Sequence, residues 1–218
     1  MKLRTSAKIN LNLEIFSEKQ DNLHKLSSLM IPIDVYDNID IEESSSESIK
    51  FSDENLNKIE STIHKALKLL RKVNPSFDKT FDVYIDKKIP YKSGLGGGSS
   101  NAASTIVALN KLWDLKMSKS EMHNFARNIG ADVPFFLFGQ NAQGNGIGDI
   151  LKYKDSITDN ILIIDPMIFS STEEMYREYD LINNKNKIIK DNPNNNDFLD
   201  IFLEKNNQVK EFFENNAQ

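Results

Sequence analysis

The chain has 218 residues, 39% of them hydrophobic, with no cysteine, a net charge of −5 and a pI near 5.3. This is enough apolar material for one large domain or two small ones, so wholesale disorder is excluded. Lys and Arg are spread along the chain, which argues against a nucleic acid or an anionic membrane as the main partner; the missing Cys excludes disulfides, thiolate metal sites and a cysteine nucleophile. Met1-Lys-Leu-Arg leads into alternating residues rather than an apolar block, and the runs Ile161 to Ile164 and Val133 to Phe138 are too short to span a bilayer. A soluble, cytoplasmic protein is expected.

In chain order, Ile9, Leu11, Leu13 and Ile15 alternate with Lys8, Asn10, Asn12 and Glu14, which predicts a half-buried strand from Lys8 to Phe16 with Lys8 and Asn10 on one face. Leu29, Ile31, Ile33 and Val35 predict a second strand, with Pro32 marking an edge or bend. Glu42 to Ser48 reads as a turn or loop. The spacing of Leu56, Ile59, Ile63, Leu67 and Leu70 predicts a helix capped by Ser52 or Asp53, and Phe81, Val83 and Ile85 predict a strand. A helix to Trp113 follows, then one from about Ser118 to Asn128 ended by Gly130, an apolar segment to Phe138, and a hairpin over Gln140 to Lys152. A last strand is expected over Asn160 to Asp165, and helices over Glu173 to Tyr179 and Asp197 to Glu214. Asn183 to Asn196, rich in Asn and Lys, reads as a solvated loop. The composition changes near Tyr153 to Asp159, which sets domains at 1–153 and 154–218.

Between the Phe81 strand and the Trp113 helix lies Ile89-Pro-Tyr-Lys-Ser-Gly-Leu-Gly-Gly-Gly-Ser-Ser-Asn-Ala-Ala103. Gly94, Gly96, Gly97 and Gly98 allow positive φ and close approach of a ligand, and Ser99, Ser100 and Asn101 place donors at a helix start. A helix N-terminus of this kind favours an anion, above all a phosphate. No Lys follows Gly98, which excludes the P-loop of nucleotide hydrolases, and the glycine spacing does not match a dinucleotide-binding turn.

Ser6-Ala-Lys-Ile-Asn-Leu-Asn12, the glycine loop and Gly130-Ala-Asp-Val-Pro-Phe135, in that order, resemble the GHMP kinases, and Gly146-Ile-Gly-Asp-Ile-Leu151 matches a glycine hairpin of that family. The resemblance is strong from Leu3 to about Leu151. It implies an α+β protein with the GHMP kinase fold: an N-terminal ribosomal-protein-S5-domain-2-like domain and an incomplete ferredoxin-like C-terminal domain, with ATP and acceptor in the cleft between them. It implies an ATP-dependent small-molecule kinase of the non-mevalonate isoprenoid pathway whose acceptor is a cytidine diphosphate-linked methylerythritol, phosphorylated on the 2-hydroxyl. By resemblance, Asp132 is the general base and Lys8 its cationic partner, bridging toward the transferred phosphate. Pro90, Gly94, Leu95, Gly96, Gly97, Gly98, Ser99, Ser100 and Asn101 hold ATP, with Asn55 near the adenine. Asn10, His24 and Tyr176 contact the acceptor. Mg²⁺ is expected through the phosphates, with Ser100 as the nearest candidate side chain and no metal site of the protein's own.

The sequence departs from the family at two places. Leu23 stands where an aromatic that stacks on the cytosine is expected, and stacking on a base contributes about 1–3 kcal/mol. After Asn160 the family's third glycine-rich motif is missing, which gives the picture of a truncated member. The alternatives are a sister kinase with another acceptor, such as homoserine or a mevalonate derivative, and a nucleotide-binding chain without activity. Oligomeric state is not encoded in any motif.

Overall fold

The computed structural model describes residues 1–75, 78–155, 160–168, 170–183 and 196–216. They form two compact units that alternate along the chain: Met1–Ile9, Ile31–Tyr91 and Leu95–Gln140 in one, Asn10–Met30, Lys92–Gly94 and Asn141–Gln218 in the other. The units therefore do not separate at 153/154, the single boundary read from composition.

The first unit is a sheet backed by helices. Strand β1 (Lys2–Asn10) pairs with β3 (Leu23–Ser44), and β3 runs antiparallel to β5 (Thr80–Asp86) from Asn38↔Asp86 to Ser44↔Thr80. Strand β4 (Ser48–Phe51) joins β5 in parallel. Ile39, Ile41, Phe81, Val83 and Ile85 point to one side and are buried against Ile63, Leu67 and Leu70 of α1 (Thr62–Val73) and Ala102, Ile106 and Leu109 of α2 (Gly97–Leu112). Asp82 and Tyr84 face water, as period two requires. Helix α3 (Lys119–Arg127) and helix α4 (Val133–Phe138) complete the cluster with Phe125, Ala126 and Val133.

The expected helix through Leu56 and Leu70 is split. Asp53 caps a 3₁₀ turn, Glu54–Lys58, by accepting from Asn55 N, Ile59 is extended, and Ser61 then starts α1 through a reciprocal capping box with His64. Two strong caps eight residues apart override an apolar period that reads continuously. Gly130 does not terminate α3 in a left-handed conformation; Asn128 is the C-cap, and the Gly130 carbonyl accepts from Val133 N instead. Gly139, at φ 70°, supplies the left-handed end of α4.

In the second unit β2 (Glu14–Gln20) and the start of β3 form a hairpin, Gln20↔Leu23, whose turn residues Asp21 and Asn22 both take positive φ. The expected strand over Lys8 to Phe16 is thus interrupted at Leu11–Leu13. There Leu11 N donates to the Leu29 carbonyl and the Asn12 side chain accepts from Leu29 N. Strand β3 is much longer than Leu29 to Val35 and continues through Glu42 and Glu43, part of the stretch read as loop. Its buried side switches parity between Met30 and Ile31, where the chain passes from one unit to the other: His24, Ser28 and Met30 before, Ile31, Asp37, Ile39 and Ile41 after. The hairpin β6 (Ala142–Asn145) and β7 (Ile150–Tyr153) lies on β3 at Ser28–Met30.

Helices α5 (Thr172–Asn183), α6 (Asp197–Lys205) and α7 (Asn207–Asn216) follow. Leu13, Ile15, Met175, Tyr179 and Ile201 form the core of this unit. The single helix expected over Asp197 to Glu214 breaks at Asn206, which leaves helical geometry at φ −133°. The strand expected over Asn160 to Asp165 is not formed: Ile161 to Ile164 are irregular and exposed, Leu162 at 84%. A strand needs a neighbour for its N–H and C=O groups, and none is present among the described residues there. Most of the loop expected over Asn183 to Asn196, and residues 156–159 of the composition change, lie outside the described residues.

Candidate functional site

From Leu95 onward the glycine loop lies in the first unit and is tied to β1 and α4. Lys8 N donates to the Leu95 carbonyl at 3.0 Å, and Gly96 follows at φ 72° as the N-cap of α2. A methyl group on Gly96 would lie 2.8 Å from the Phe136 ring and 3.1 Å from Cγ of Lys8, so only glycine fits. Gly94, at φ 77°, has open space where a side chain would be. Gly98 is exposed, and its carbonyl accepts from the Thr62 hydroxyl. The first turn of α2 directs its N–H groups out of the helix end, with Gly98 and Ser99 not fully covered.

Lys8 is buried, and its Nζ lies 3.4 Å from Oδ2 of Asp132, whose side chain is 39% exposed. Asp132 is the N-cap residue of α4 by position but makes no side-chain capping hydrogen bond. A carboxylate at a helix start normally caps it. Here it is turned to a buried ammonium instead, and it keeps an accessible face. This arrangement sets an accessible carboxylate, a buried ammonium and an open helix start within one unit, groups that suit phosphoryl transfer.

Residues 61–140 match the family model described as the GHMP kinases N terminal domain. A 4-diphosphocytidyl-2-C-methyl-D-erythritol kinase from Prochlorococcus marinus (strain AS9601) is 35% identical over 217 residues, covering 89% of this chain and 68% of the relative. The chain belongs to the GHMP kinase family. The kinase of the same name from Clostridioides difficile (strain 630) is 38% identical over 201 residues, covering 89% of this chain and 66% of its own length. The chain spans about two thirds of the length of the curated relatives it matches. A crystal structure of 4-(cytidine 5'-diphospho)-2C-methyl-D-erythritol kinase superposes with a TM-score of 0.71 at 26% identity, covering 97% of this chain and 81% of that one. The α+β GHMP kinase fold read from the motifs is therefore correct.

Burial varies from residue to residue along the loop of this GHMP kinase chain. Ser100 and Asn101 are buried; Ser100 N donates to the Gly96 carbonyl, and Asn101 Oδ1 accepts from the Thr5 hydroxyl at 2.7 Å. The Asn101 side chain fastens α2 to β1 within its own unit. Gly97 is also covered, against Ile89 and Lys87. Pro90 is exposed and Leu95 half-buried. Asn55 is exposed in the 3₁₀ turn, where its amide donates to Asp53.

In the second unit Asn10 Nδ2 donates to the Ser28 hydroxyl at 2.7 Å, which donates to the Asn12 carbonyl. His24 is buried, with Nδ1 at 2.9 Å from the Phe16 carbonyl and Nε2 at 2.8 Å from Asp180 Oδ1. A carbonyl only accepts, so Nδ1 carries a proton toward Phe16. Tyr176 stacks parallel to the imidazole at 5.6 Å, and Tyr179 meets it edge-on. His24 and Tyr176 are thus brought together; Nδ1 is held by the Phe16 carbonyl, while Nε2 lies against the Asp180 carboxylate without a directed hydrogen bond. Leu23 is half exposed beside it.

Sequence reasoning missed Asp180. It sits one helical turn after Tyr176, on the same face of α5, which was the available signal. Burial raises the Asp180 carboxyl, but the Lys19 hydrogen bond at 2.9 Å and the His24 and Lys19 charges outweigh it and hold it below its ordinary value of 3.8. The depressed value means that its contribution to stability is present above 3.8 and is lost as pH falls through the lower folded value. The expected size is at most about 1 kcal/mol, because the carboxylate is largely solvated. Carbon NMR titration of the Asp180 carboxyl should show a midpoint below 3.8 that rises in Lys19→Met; equal midpoints would remove Lys19 as the cause.

Proposed function

We propose that the chain is an ATP-dependent kinase that phosphorylates the 2-hydroxyl of 4-diphosphocytidyl-2-C-methyl-D-erythritol. The observation that carries this reading is the accessible Asp132 carboxylate held beside buried Lys8, next to a glycine loop that opens a helix. The relatives named for this activity supply the acceptor. Asp132 accepts the hydroxyl proton as the new oxygen–phosphorus bond forms and the bond from the γ-phosphorus to the β,γ-bridging oxygen breaks, with ADP leaving. The Lys8 ammonium orients the carboxylate and adds positive charge where the transferred group is most negative. The N–H groups of the first α2 turn bind phosphate oxygens, and the open side at Gly98 admits them.

Magnesium fits this site as a companion of the phosphates. Ser100 is the nearest candidate side chain, and Mg²⁺ with nucleotides keeps most of its ligands from water and phosphate. It would neutralise charge on the β- and γ-phosphates. Tyr176, His24 and Asn10 are the acceptor contacts that the family resemblance implies.

Phosphorus NMR of the chain with MgATP and the acceptor tests the proposal. The expected result is a new phosphomonoester resonance with stoichiometric ADP. Soluble, folded protein that binds ATP yet yields no product would overturn it, and turnover of homoserine or a mevalonate derivative instead would move the chain to a sister activity.

A further inference from the structure

The turn from β5 into the glycine loop is built on one buried carboxylate. The antiparallel ladder between β3 and β5 ends at Asn38↔Asp86. The next residue of β3, Asp37, is fully buried and lies in the same row as Ile39 and Ile41. A charge on that face costs heavily unless it is satisfied on several sides. Asp37 is: Oδ1 accepts from Lys88 N at 2.7 Å and from Ile89 N at 2.9 Å, and Oδ2 accepts from Lys87 Nζ. The side chain thus replaces the missing strand partner and captures the chain as it leaves the sheet.

What Asp37 holds lies directly under the loop. A methyl group on Gly97, the first residue of α2, would meet Ile89 Cγ2 at 2.9 Å and Lys87 Nζ at 3.0 Å. Ile89 is itself buried, and its position fixes how far the helix start can settle toward the sheet. The route from Asp37 to the helix end therefore has two arms, one through the backbone of Lys88 and Ile89 and one through the Lys87 ammonium. Both arrive at Gly97. The ammonium also adds a positive charge at a helix end whose dipole already favours anions.

We infer that Asp37 is a positioning residue for the nucleotide: it sets the start of α2 and the Lys87 ammonium in the place where ATP phosphates are bound. This rests on the kinase reading for the identity of the ligand. A carboxylate that served the core alone would need no ammonium directed at the loop, and an apolar residue in line with Ile39 and Ile41 would fill the position at lower desolvation cost.

The test is calorimetry of MgATP without acceptor, on the unmutated chain and on Asp37→Asn, with steady-state kinetics beside it. The amide keeps an acceptor for the two N–H groups but loses the charge that holds Lys87. The expected result is an ATP Kd and KM raised ~10-fold or more, with acceptor KM changed less than about 2-fold, because misplacement of a binding loop acts on the ligand it holds. Lys87→Met should reproduce most of the effect, and adding it to Asp37→Asn should add little. Unchanged ATP affinity in folded Asp37→Asn overturns the inference and leaves the kinase reading standing. No ATP binding by the unmutated chain overturns both. If Asp37→Asn does not fold, hydrogen exchange of the unmutated chain decides: Lys88 and Ile89 amides already slow without nucleotide support a preset loop, and protection that appears only with ATP overturns it.

Discussion

Asp132→Asn should reduce kcat by about 10²–10⁴ while ATP affinity stays within a few-fold of the unmutated chain. The amide has nearly the same shape and can remain beside Lys8, but it cannot take a proton from the acceptor hydroxyl. Because the Asp132 side chain makes no capping bond to α4, the substitution should not weaken that helix. This separates the two readings of the residue. Loss of a cap would appear as a lower melting temperature, at a cost of about 1 kcal/mol, with turnover kept. Loss of a base would appear as unchanged melting with turnover removed. Single-turnover transfer to the acceptor, with calorimetry of ATP alongside, measures both; a kcat within tenfold of normal would end the general-base assignment.

The second large effect is expected at the loop. Gly96→Val places a β-branched side chain at φ 72°, where L-residues pay about 1–2 kcal/mol for backbone strain alone. It also drives a methyl into the Phe136 ring and Lys8 Cγ, at 2.8 and 3.1 Å from the new Cβ. Together these should destabilise the protein by about 2–4 kcal/mol. They should also displace Lys8, so ATP binding and turnover fall in whatever protein still folds. Gly98→Ala is the control. Its added carbon meets only Thr62, at 3.4 Å, and the φ at this position is ordinary. That variant should melt at the same temperature or slightly higher, since alanine restricts the unfolded chain, yet bind ATP less tightly because the methyl occupies the open side of the helix end. Urea denaturation and calorimetry on the two variants distinguish conformational need from ligand access; equal stability of both would show that the left-handed turn at Gly96 is not required.

Much of the architecture is local and could be read from the chain. Phe81, Val83 and Ile85 alternate and become one buried face of β5; Ser118 and Glu121 form the capping box of α3; Gly96 takes the left-handed conformation that opens α2. In each case the physics involves residues within a few positions of one another: side-chain period, cap hydrogen bonds, and the absence of a Cβ. The same locality explains the errors. The run from Leu56 to Leu70 has a helical period, but Asp53 and Ser61 each start a separate element. Ile161 to Ile164 have strand composition, but composition supplies no partner for their backbone.

The amino-acid sequence by itself determined the family, the glycine loop that opens a helix, and Lys8, Asp132 and His24 as the residues to examine, because these depend on short motifs whose chemistry is carried by residue type and spacing. Only the tertiary structure decided what each side chain faces. It put Asp132 against Lys8 rather than on its own helix end, buried Ser100 and Asn101 behind the loop, stacked Tyr176 on a His24 that Asp180 also holds, and placed Asp37 beneath Lys87 and Ile89. The physical reason is that burial and ion pairing are properties of residues far apart in the chain, set by sheet register and helix packing. A polar residue in a buried strand row, such as Asp37 in line with Ile39 and Ile41, shows in sequence only as an exception to the pattern, and its partner appears only when the chain is folded.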